Sequence, residues 1–145
     1  MVDHPLLDNK LTMQFEDCIV AFEKATSCEL RIHIEEENDT PVLDRAAFVF
    51  DHLGMRKTQK RNALLIYIQL YPSALAIIGD TGINMHVSQS DWESWKNTLI
   101  ESFRTEDYLK GISNVTQAMS DKLKVAYPWN ENDKDELSNT ISRAK

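Results

Sequence analysis

The fold is decided by residues 63–84, which read ALLIYIQLYPSALAIIGDTGIN. Two apolar runs of strand length, Ala63–Leu70 and Ala74–Ile78, flank the short segment Tyr71-Pro72-Ser73. Apolar runs on either side of such a segment predict an antiparallel β-hairpin. The second run ends in Gly79-Asp80-Thr81-Gly82, where two glycines beside a carboxylate allow a sharp turn and the close approach of a ligand. An ordinary strand-ending turn explains this segment equally well.

The chain before the hairpin has the pattern of a helix, a strand and a second helix. Apolar residues recur at helical spacing over 8–25 and again over 42–53, and polar and apolar residues alternate over 29–34. Because a helix connects the first strand to the second, these two strands are predicted to lie parallel with a right-handed connection.

Two more amphipathic helices are predicted after the hairpin. One opens with the capping box Ser90-Asp91-Trp92-Glu93 and the other covers 106–126. The predicted fold is therefore a three-layer α/β/α sandwich, in which a small mixed sheet (a βαβ unit plus an antiparallel hairpin strand) carries helices on both faces. We assign residues 1–128 to a single domain and residues 129–145 to a polar, acidic tail that we expect to pack loosely.

Composition limits the functions that the chain can have. Its 145 residues include 23 Asp and Glu against 16 Lys and Arg, for a formal net charge of -7. We expect no nucleic-acid binding, which needs clustered basic residues, whereas small cations and basic partners suit this balance. The first residues lack the pattern of a signal peptide and the longest apolar run, Ala63–Leu70, is too short to span a membrane, so we expect a cytoplasmic protein without direct membrane insertion. The only cysteines, Cys18 and Cys28, are predicted to be free thiols.

Strand directions predict a polar site at one edge of the sheet. The starts of the two parallel strands and the end of the antiparallel strand lie at the same edge, meaning here the boundary of the sheet that runs across the strand ends. This arrangement places Glu29, Asn62 and Asp80 there. Helices that end at the same edge offer free carbonyl oxygens and a partial negative charge. Two carboxylates, an amide oxygen and carbonyls are ligands that Ca²⁺ or Mg²⁺ accepts. Ion pairs between the carboxylates and the basic residues of segment 57–61 are the alternative.

The opposite edge carries a second acidic cluster, made up of Glu35, Glu36, Glu37, Asp39 and Asp44. Open α/β sheets usually bind ligands outside the carboxyl ends of their strands, which makes this edge a rival site. A run of adjacent acids is also typical of a solvated loop, and Asp44 suits the start of its helix. His33, on the polar side of the first strand, is predicted to be a structural hydrogen-bond partner.

Several segments resemble the TPM domain family, which includes the thylakoid-lumen acid phosphatase-like proteins and bacterial members without a membrane anchor. The resemblance runs in order from Thr26 to Pro128. The matching segments are Cys28–Glu35, Asp44-Arg45-Ala46, Leu53–Thr58, Arg61–Tyr67, Ala76–Ile83, Trp92, Phe103-Arg104 and Tyr108–Ile112. Cys28 and Ala63 replace glycines of the family pattern, and the methyl group of Ala63 narrows access to the predicted site.

The resemblance implies an α/β sandwich, a divalent-cation site near the Gly-Asp turn and, in some members, phosphatase activity. Two hypotheses follow. The first is a non-catalytic module that binds Ca²⁺ or Mg²⁺ through Glu29, Asn62 and Asp80 and contacts a partner protein of unknown identity. The second is a metal-assisted phosphatase in which Asp80 ligates the metal or acts as base and Arg61 or Arg104 neutralises developing charge on a phosphate monoester.

Overall fold

The computed structural model describes residues 4–130 and 139–143 and has a four-stranded mixed sheet as its middle layer. The strand order is β3-β2-β1-β4. The strands are β1 (Glu29–Glu35), β2 (Ala63–Gln69), β3 (Ala74–Gly79) and β4 (Ser142–Arg143). Strands β1 and β2 are parallel and β3 is antiparallel to β2, so the predicted βαβ unit and hairpin are confirmed.

Helices cover both faces of this sheet, which confirms the predicted sandwich. They are α1 (Asn9–Ala25), α2 (Val42–His52), α3 (Thr81–Asn84), α4 (Gln89–Arg104) and α5 (Tyr108–Leu123). Helices α1, α4 and α5 pack on one face, where they bury the even-numbered residues of β1 and β2. Helix α2 packs on the other face, against Leu65 and Tyr67 of β2 and Ala76 of β3.

The two faces of β1 differ in chemistry because side chains alternate along a strand. Leu30, Ile32 and Ile34 belong to the large core under α1, α4 and α5. The alternate residues, on the side of α2, are Glu29, Arg31, His33 and Glu35. Glu29, His33 and Glu35 are nevertheless buried, which gives the sheet a polar, enclosed strip on one side.

The structure corrects the predicted start of α4. Ser88, not Ser90, is the N-cap, and it forms a reciprocal capping box with Asp91. The same three-residue spacing occurs at both serines, but helical geometry begins two residues earlier. After the sharp turn expected at Gly79–Gly82, residues 81–84 form the single helical turn α3 with Asp80 as its N-cap.

Part of the C-terminal tail is ordered, contrary to the expectation of loose packing. Ser142 and Arg143 pair in parallel with His33 and Ile34 of β1, and Ile141 packs against the large core. The amide of Ile141 also donates to the Glu16 carboxylate at 3.1 Å. The middle of the predicted tail, 131–138, lies outside the described residues.

Neither cysteine forms a disulfide, as expected. Within residues 4–130 and 139–143, the helices are all too short or too polar to cross a bilayer.

Candidate functional site

The predicted residues Glu29, Asn62 and Asp80 lie together at one edge of the sheet. The amide of Glu29 donates to the Asn62 carbonyl at 3.1 Å, and the amide of Asp80 donates to the Ala63 carbonyl at 3.0 Å. Glu29 is also the register partner of Ala63, so the two acids flank this small residue from neighbouring strands. Cα atoms two strands apart are separated by roughly 10 Å, a span that an Asp, a Glu and an ion between them can bridge.

Both carboxylates at this edge are withdrawn from solvent. Glu29 and Asp80 are each only 3% exposed. A buried carboxylate is costly unless it is hydrogen-bonded or balanced by positive charge. The neighbours of Asp80 therefore decide what this edge can bind.

Arg61 forms a two-point ion pair with Asp80. Its Nε lies 2.7 Å from one carboxylate oxygen of Asp80 and its Nη2 lies 2.8 Å from the other. Burial alone would raise the pKa of Asp80, but the bonds from Arg61 and from the Thr81 amide, at 2.7 Å, lower the pKa below its usual value. This is the alternative of an ion pair that the sequence left open.

The Arg61 side chain is nevertheless close to solvent, at 43% exposure against 1% for the Asp80 side chain. Its backbone has a φ of 52°, in the left-handed region that non-glycine residues seldom occupy. That conformation directs the Arg61 carbonyl to the amide of Gly82, at 2.9 Å. The carboxylate is therefore enclosed and hydrogen-bonded, while the group that balances its charge borders on water.

Gly82 brings the turn after β3 against the loop before β2. A Cβ at this position would overlap the carbonyl oxygens of Lys60 and Arg61, so only glycine fits without a shift. The Tyr127 hydroxyl donates to the Gly82 carbonyl at 2.8 Å and closes the turn from the other side. This packing holds the carbonyls of Lys60 and Arg61 against Gly82, two residues after Asp80.

The Asn62 side chain is oriented by its amide nitrogen. Nδ2 donates to the Ser27 carbonyl at 3.2 Å, so Oδ1 remains the acceptor end of the amide. The buried Thr58 hydroxyl accepts a hydrogen bond from the backbone amide of Asn62 at 3.2 Å and helps to hold this loop. The donor set at this edge is thus oxygen-rich, with carboxylate, amide and carbonyl oxygens, which fits a hard divalent cation.

The opposite edge contains a buried network around Glu35 that the sequence indicated only in part. Arg45 donates to both carboxylate oxygens of Glu35, at 2.8 and 3.0 Å. The Tyr67 hydroxyl donates to the same carboxylate, and His33 Nε2 lies 3.1 Å from it. Burial alone would raise the pKa of Glu35, but hydrogen bonds from these three residues outweigh it and lower the pKa to about 2.

His33 links this network to the C-terminal strand, as a structural partner of the predicted kind. Its Nδ1 lies 2.8 Å from the Ser142 hydroxyl oxygen, and its ring stacks on Tyr67. Burial lowers the pKa of His33 more than the Glu35 carboxylate raises it. Neither Tyr67 nor Ser142 was predicted to lie at this site. The available signal for Tyr67 was strand alternation, which places it on the same face of β2 as Leu65.

The remaining acids of this second cluster are separated. Glu36, Glu37, Asp39 and Asp44 are all exposed, and they do not join the buried network of Glu35. Asp44 lies in the first turn of α2, where its charge favours the helix N-terminus. The rival edge therefore presents a neutralised carboxylate and a solvated loop.

Arg104 is not brought to Asp80. It lines a cavity with Ser73 and Ala74, before and at the start of β3, whereas Asp80 follows the end of that strand. Its guanidinium pairs with Glu101 of the same helix, at 2.6 Å. Of the two arginines named from the sequence, only Arg61 lies at the site.

Across the described ranges, no three side chains of His, Cys, Asp or Glu converge in a metal-binding arrangement. A cation beside Glu29 and Asp80 would therefore draw part of its coordination from carbonyl and amide oxygens and from water. Such mixed oxygen shells are usual for Ca²⁺.

Comparisons with known proteins place the fold and the family. The TPM domain family model matches residues 2–122. The BA42 protein from the psychrophilic bacterium Bizionia argentinensis has a similar structure, with 34% sequence identity, 94% of each chain covered and a TM-score of 0.87. No curated protein matches the chain.

Two more distant structures share the fold alone. The N-terminal domain of a protein from P. gingivalis has 17% identity and a TM-score of 0.65, over 84% of this chain and 79% of that one. The N-terminal domain of the cg2496 protein from Corynebacterium glutamicum has 9% identity and a TM-score of 0.61, over 95% of this chain and 80% of that one. With the match over residues 2–122 and the likeness to BA42, the chain belongs to the TPM domain family.

Proposed function

We propose that the chain is a divalent-cation-binding TPM domain that takes Ca²⁺, or Mg²⁺ more weakly, at the edge formed by Glu29, Asn62 and Asp80. The observation that carries this proposal is the asymmetry of the Asp80–Arg61 pair. Asp80 is buried and fixed by the Thr81 amide, whereas the arginine that balances its charge is 43% exposed. A cation can replace that arginine without moving the carboxylate.

In this proposal Arg61 balances the charge of Asp80 when no cation is bound. Burial does not oppose its departure, because the Arg61 side chain is already 43% exposed, and its departure leaves the Asp80 carboxylate to the incoming cation. Ca²⁺ suits such a site better than Mg²⁺, because Ca²⁺ tolerates irregular shells with carbonyl ligands whereas Mg²⁺ demands near-octahedral geometry and sheds its waters reluctantly.

A role in protein contact is supported by exposed apolar side chains close to this edge. Met85 directly follows α3 and is 78% exposed. Its neighbour His86 packs edge-on against Tyr127, the residue that holds the Gly82 carbonyl, and Val125 close by is also exposed. Methionine adapts to irregular partner surfaces. The cation would order the turn after β3, and Met85 would present an apolar contact to a partner protein.

Calorimetric titration with CaCl₂ and MgCl₂ tests the cation site. We expect Asp80→Asn to weaken Ca²⁺ binding by at least about tenfold, because it removes one of the carboxylate charges that set affinity. The matched control is Asp44→Asn, which neutralises an exposed acid at the opposite edge and should bind Ca²⁺ like the wild type. Glu29→Gln provides a second variant should Asp80→Asn disturb folding. Unchanged affinity in both site variants, or lost affinity in Asp44→Asn, would contradict the proposal.

A metal-assisted phosphatase acting on phosphate monoesters is the second candidate, favoured by the position of Arg61 beside Asp80. A bound cation would supply Lewis acidity toward a phosphoryl oxygen. Asp80 would hold the cation or accept a proton from water, and the exposed Arg61 would neutralise charge developing on the phosphoryl group. This scheme requires no covalent nucleophile on the protein.

An assay with p-nitrophenyl phosphate in Ca²⁺, Mg²⁺ and Mn²⁺ separates the two candidates. A phosphatase should show metal-dependent turnover that Asp80→Asn and Arg61→Gln both abolish. Turnover that is indifferent to metal and to these variants would indicate a contaminating enzyme. The non-catalytic role would be supported by Ca²⁺ binding without turnover, together with a co-purifying protein that is lost when Ca²⁺ is chelated and when Asp80 is replaced by Asn.

A further inference from the structure

A cavity of about 680 Å³ lies at the end of the sheet remote from Asp80. It is bounded by the last two turns of α4, the connection from α4 to α5, the turn between β2 and β3, and His4. Its volume is within the range of pockets that hold small organic molecules. Neither the cation site nor the Glu35 network uses any residue of this cavity.

The wall of the cavity is aromatic and aliphatic. Phe103 and Tyr108 meet edge to face with ring centroids 5.1 Å apart, and His4 lies 6.0 Å from Tyr108. Leu75 is nearly buried beside them, whereas Ile100 of α4 is 44% exposed. An apolar ligand body would cover Ile100 and stack on the rings, which are favourable contacts in water.

The polar groups around this wall are mostly donors. His4 Nδ1 accepts a hydrogen bond from the Leu6 amide at 3.0 Å, which leaves the ring proton on Nε2 as a donor. Lys96 contributes an ammonium group, which has no ion-pair partner among residues 4–130 and 139–143. Arg104 is balanced by Glu101, so Lys96 is the cation available to a ligand. Glu106 also lines the cavity and adds a negative charge to it.

We propose that this cavity binds a small organic monoanion with a planar apolar body, of the aromatic carboxylate class. The body stacks against Phe103 and Tyr108 and covers Ile100, and the carboxylate lies toward Lys96 on the preceding turn of α4. Residues 96 and 100 are one helical turn apart, so an apolar contact and a charge are offered on the same side of one helix. Glu106 disfavours ligands with a second negative charge.

NMR titration of the full 145-residue chain with 2-naphthoate tests this assignment. We expect saturable amide shifts confined to 73–75, 96–104 and 106–108. Lys96→Gln should weaken naphthoate binding about two- to fivefold, the range expected for an exposed ion pair, and should leave binding of neutral 2-naphthalenemethanol unchanged. Glu106→Gln should act in the opposite direction and tighten naphthoate binding.

Ile100→Glu should have a larger effect on naphthoate binding, because it places a carboxylate on the apolar wall. Its matched control is Asn97→Glu, at an exposed position of α4 that does not line the cavity. Loss of naphthoate binding in Ile100→Glu, with binding retained in Asn97→Glu, supports the proposal. Shifts centred elsewhere, no saturation at millimolar concentrations, or equal losses in both α4 variants would overturn it.

Discussion

Each end of the sheet holds a buried carboxylate paired with an arginine, and the two pairs differ in how firmly they are held. At one end, Glu35 receives hydrogen bonds from Arg45, Tyr67 and His33, and the Arg45 side chain is only 23% exposed. At the other end, Asp80 receives its side-chain hydrogen bonds from Arg61, which is almost twice as exposed. The same pair of charges therefore forms a closed structural network at one end and, at the other, a solvent-facing contact that our proposal treats as exchangeable.

The difference follows from what surrounds each arginine. Arg45 lies on α2, and its guanidinium also packs over the Phe48 ring at 5.1 Å, so helix and ring both restrict it. Arg61 lies in the loop between α2 and β2, where its carbonyl is held by the Gly82 amide and its side chain borders on solvent apart from the pair with Asp80. The arginine from the helix is therefore the more enclosed of the two, and the arginine from the loop is the more exposed.

Replacing the two arginines should produce the largest contrast. Arg45→Met leaves Glu35 buried without its cation, and we expect a loss of about 3 kcal/mol in the free energy of unfolding, as for other broken buried pairs. Arg61→Met should lower the free energy of unfolding much less, because water can reach the Asp80 carboxylate once the arginine side chain is gone. Urea unfolding at pH 7 measures both. Equal losses in the free energy of unfolding would show that the two ion pairs stabilise the fold to the same extent.

Acid should break the closed network through Glu35. Its folded pKa of about 2 lies below the ordinary value of 4.5, so its contribution is full above pH 4.5 and is lost as the pH falls toward 2. The shift corresponds to about 3 kcal/mol of stability at neutral pH. Glu35→Gln should flatten the pH dependence of unfolding in this window. A slope like that of the wild type would mean that other carboxylates, Asp80 among them, carry the acid sensitivity.

A smaller effect is expected at the exchangeable end. If Arg61 competes with the cation for Asp80, Arg61→Gln should raise Ca²⁺ affinity by roughly fivefold, the low end of typical coupling between two groups. Arg104→Gln, which removes an arginine that pairs with Glu101 at the other end of β3, is the calorimetric control. Weaker Ca²⁺ binding in Arg61→Gln would show that the arginine assists binding rather than opposing it.

The sequence predicted the sheet and the position of Asp80 because both depend on local patterns. The apolar runs 63–70 and 74–78 and the alternation in 29–34 appear as strands within one residue of the predicted bounds. Strand directions then brought Glu29, Asn62 and Asp80 to one edge. These are consequences of periodicity and connectivity, which a single sequence contains.

What the sequence could not predict depends on contacts between distant residues. Arg45 and Tyr67 meet at Glu35 because α2 packs on that face of the sheet, and Ser142 reaches His33 from the far end of the chain. From the sequence, Arg104 and Arg61 were equal candidates for neutralising charge on a phosphate, yet Arg104 lies at the other end of β3. Spacing along the chain does not encode these distances.

Strand β4 occupies part of the outer edge of β1, in a sheet where β3 forms the other edge. Edge strands offer unpaired backbone groups to any extended chain, and native proteins cover or interrupt them. Among the described residues, β4 pairs with His33 and Ile34, so Ser142 and Arg143 act as a short cover for the backbone of β1. A chain truncated before Ser142 should therefore self-associate more readily than the full chain, through its uncovered backbone rather than through its surface charge.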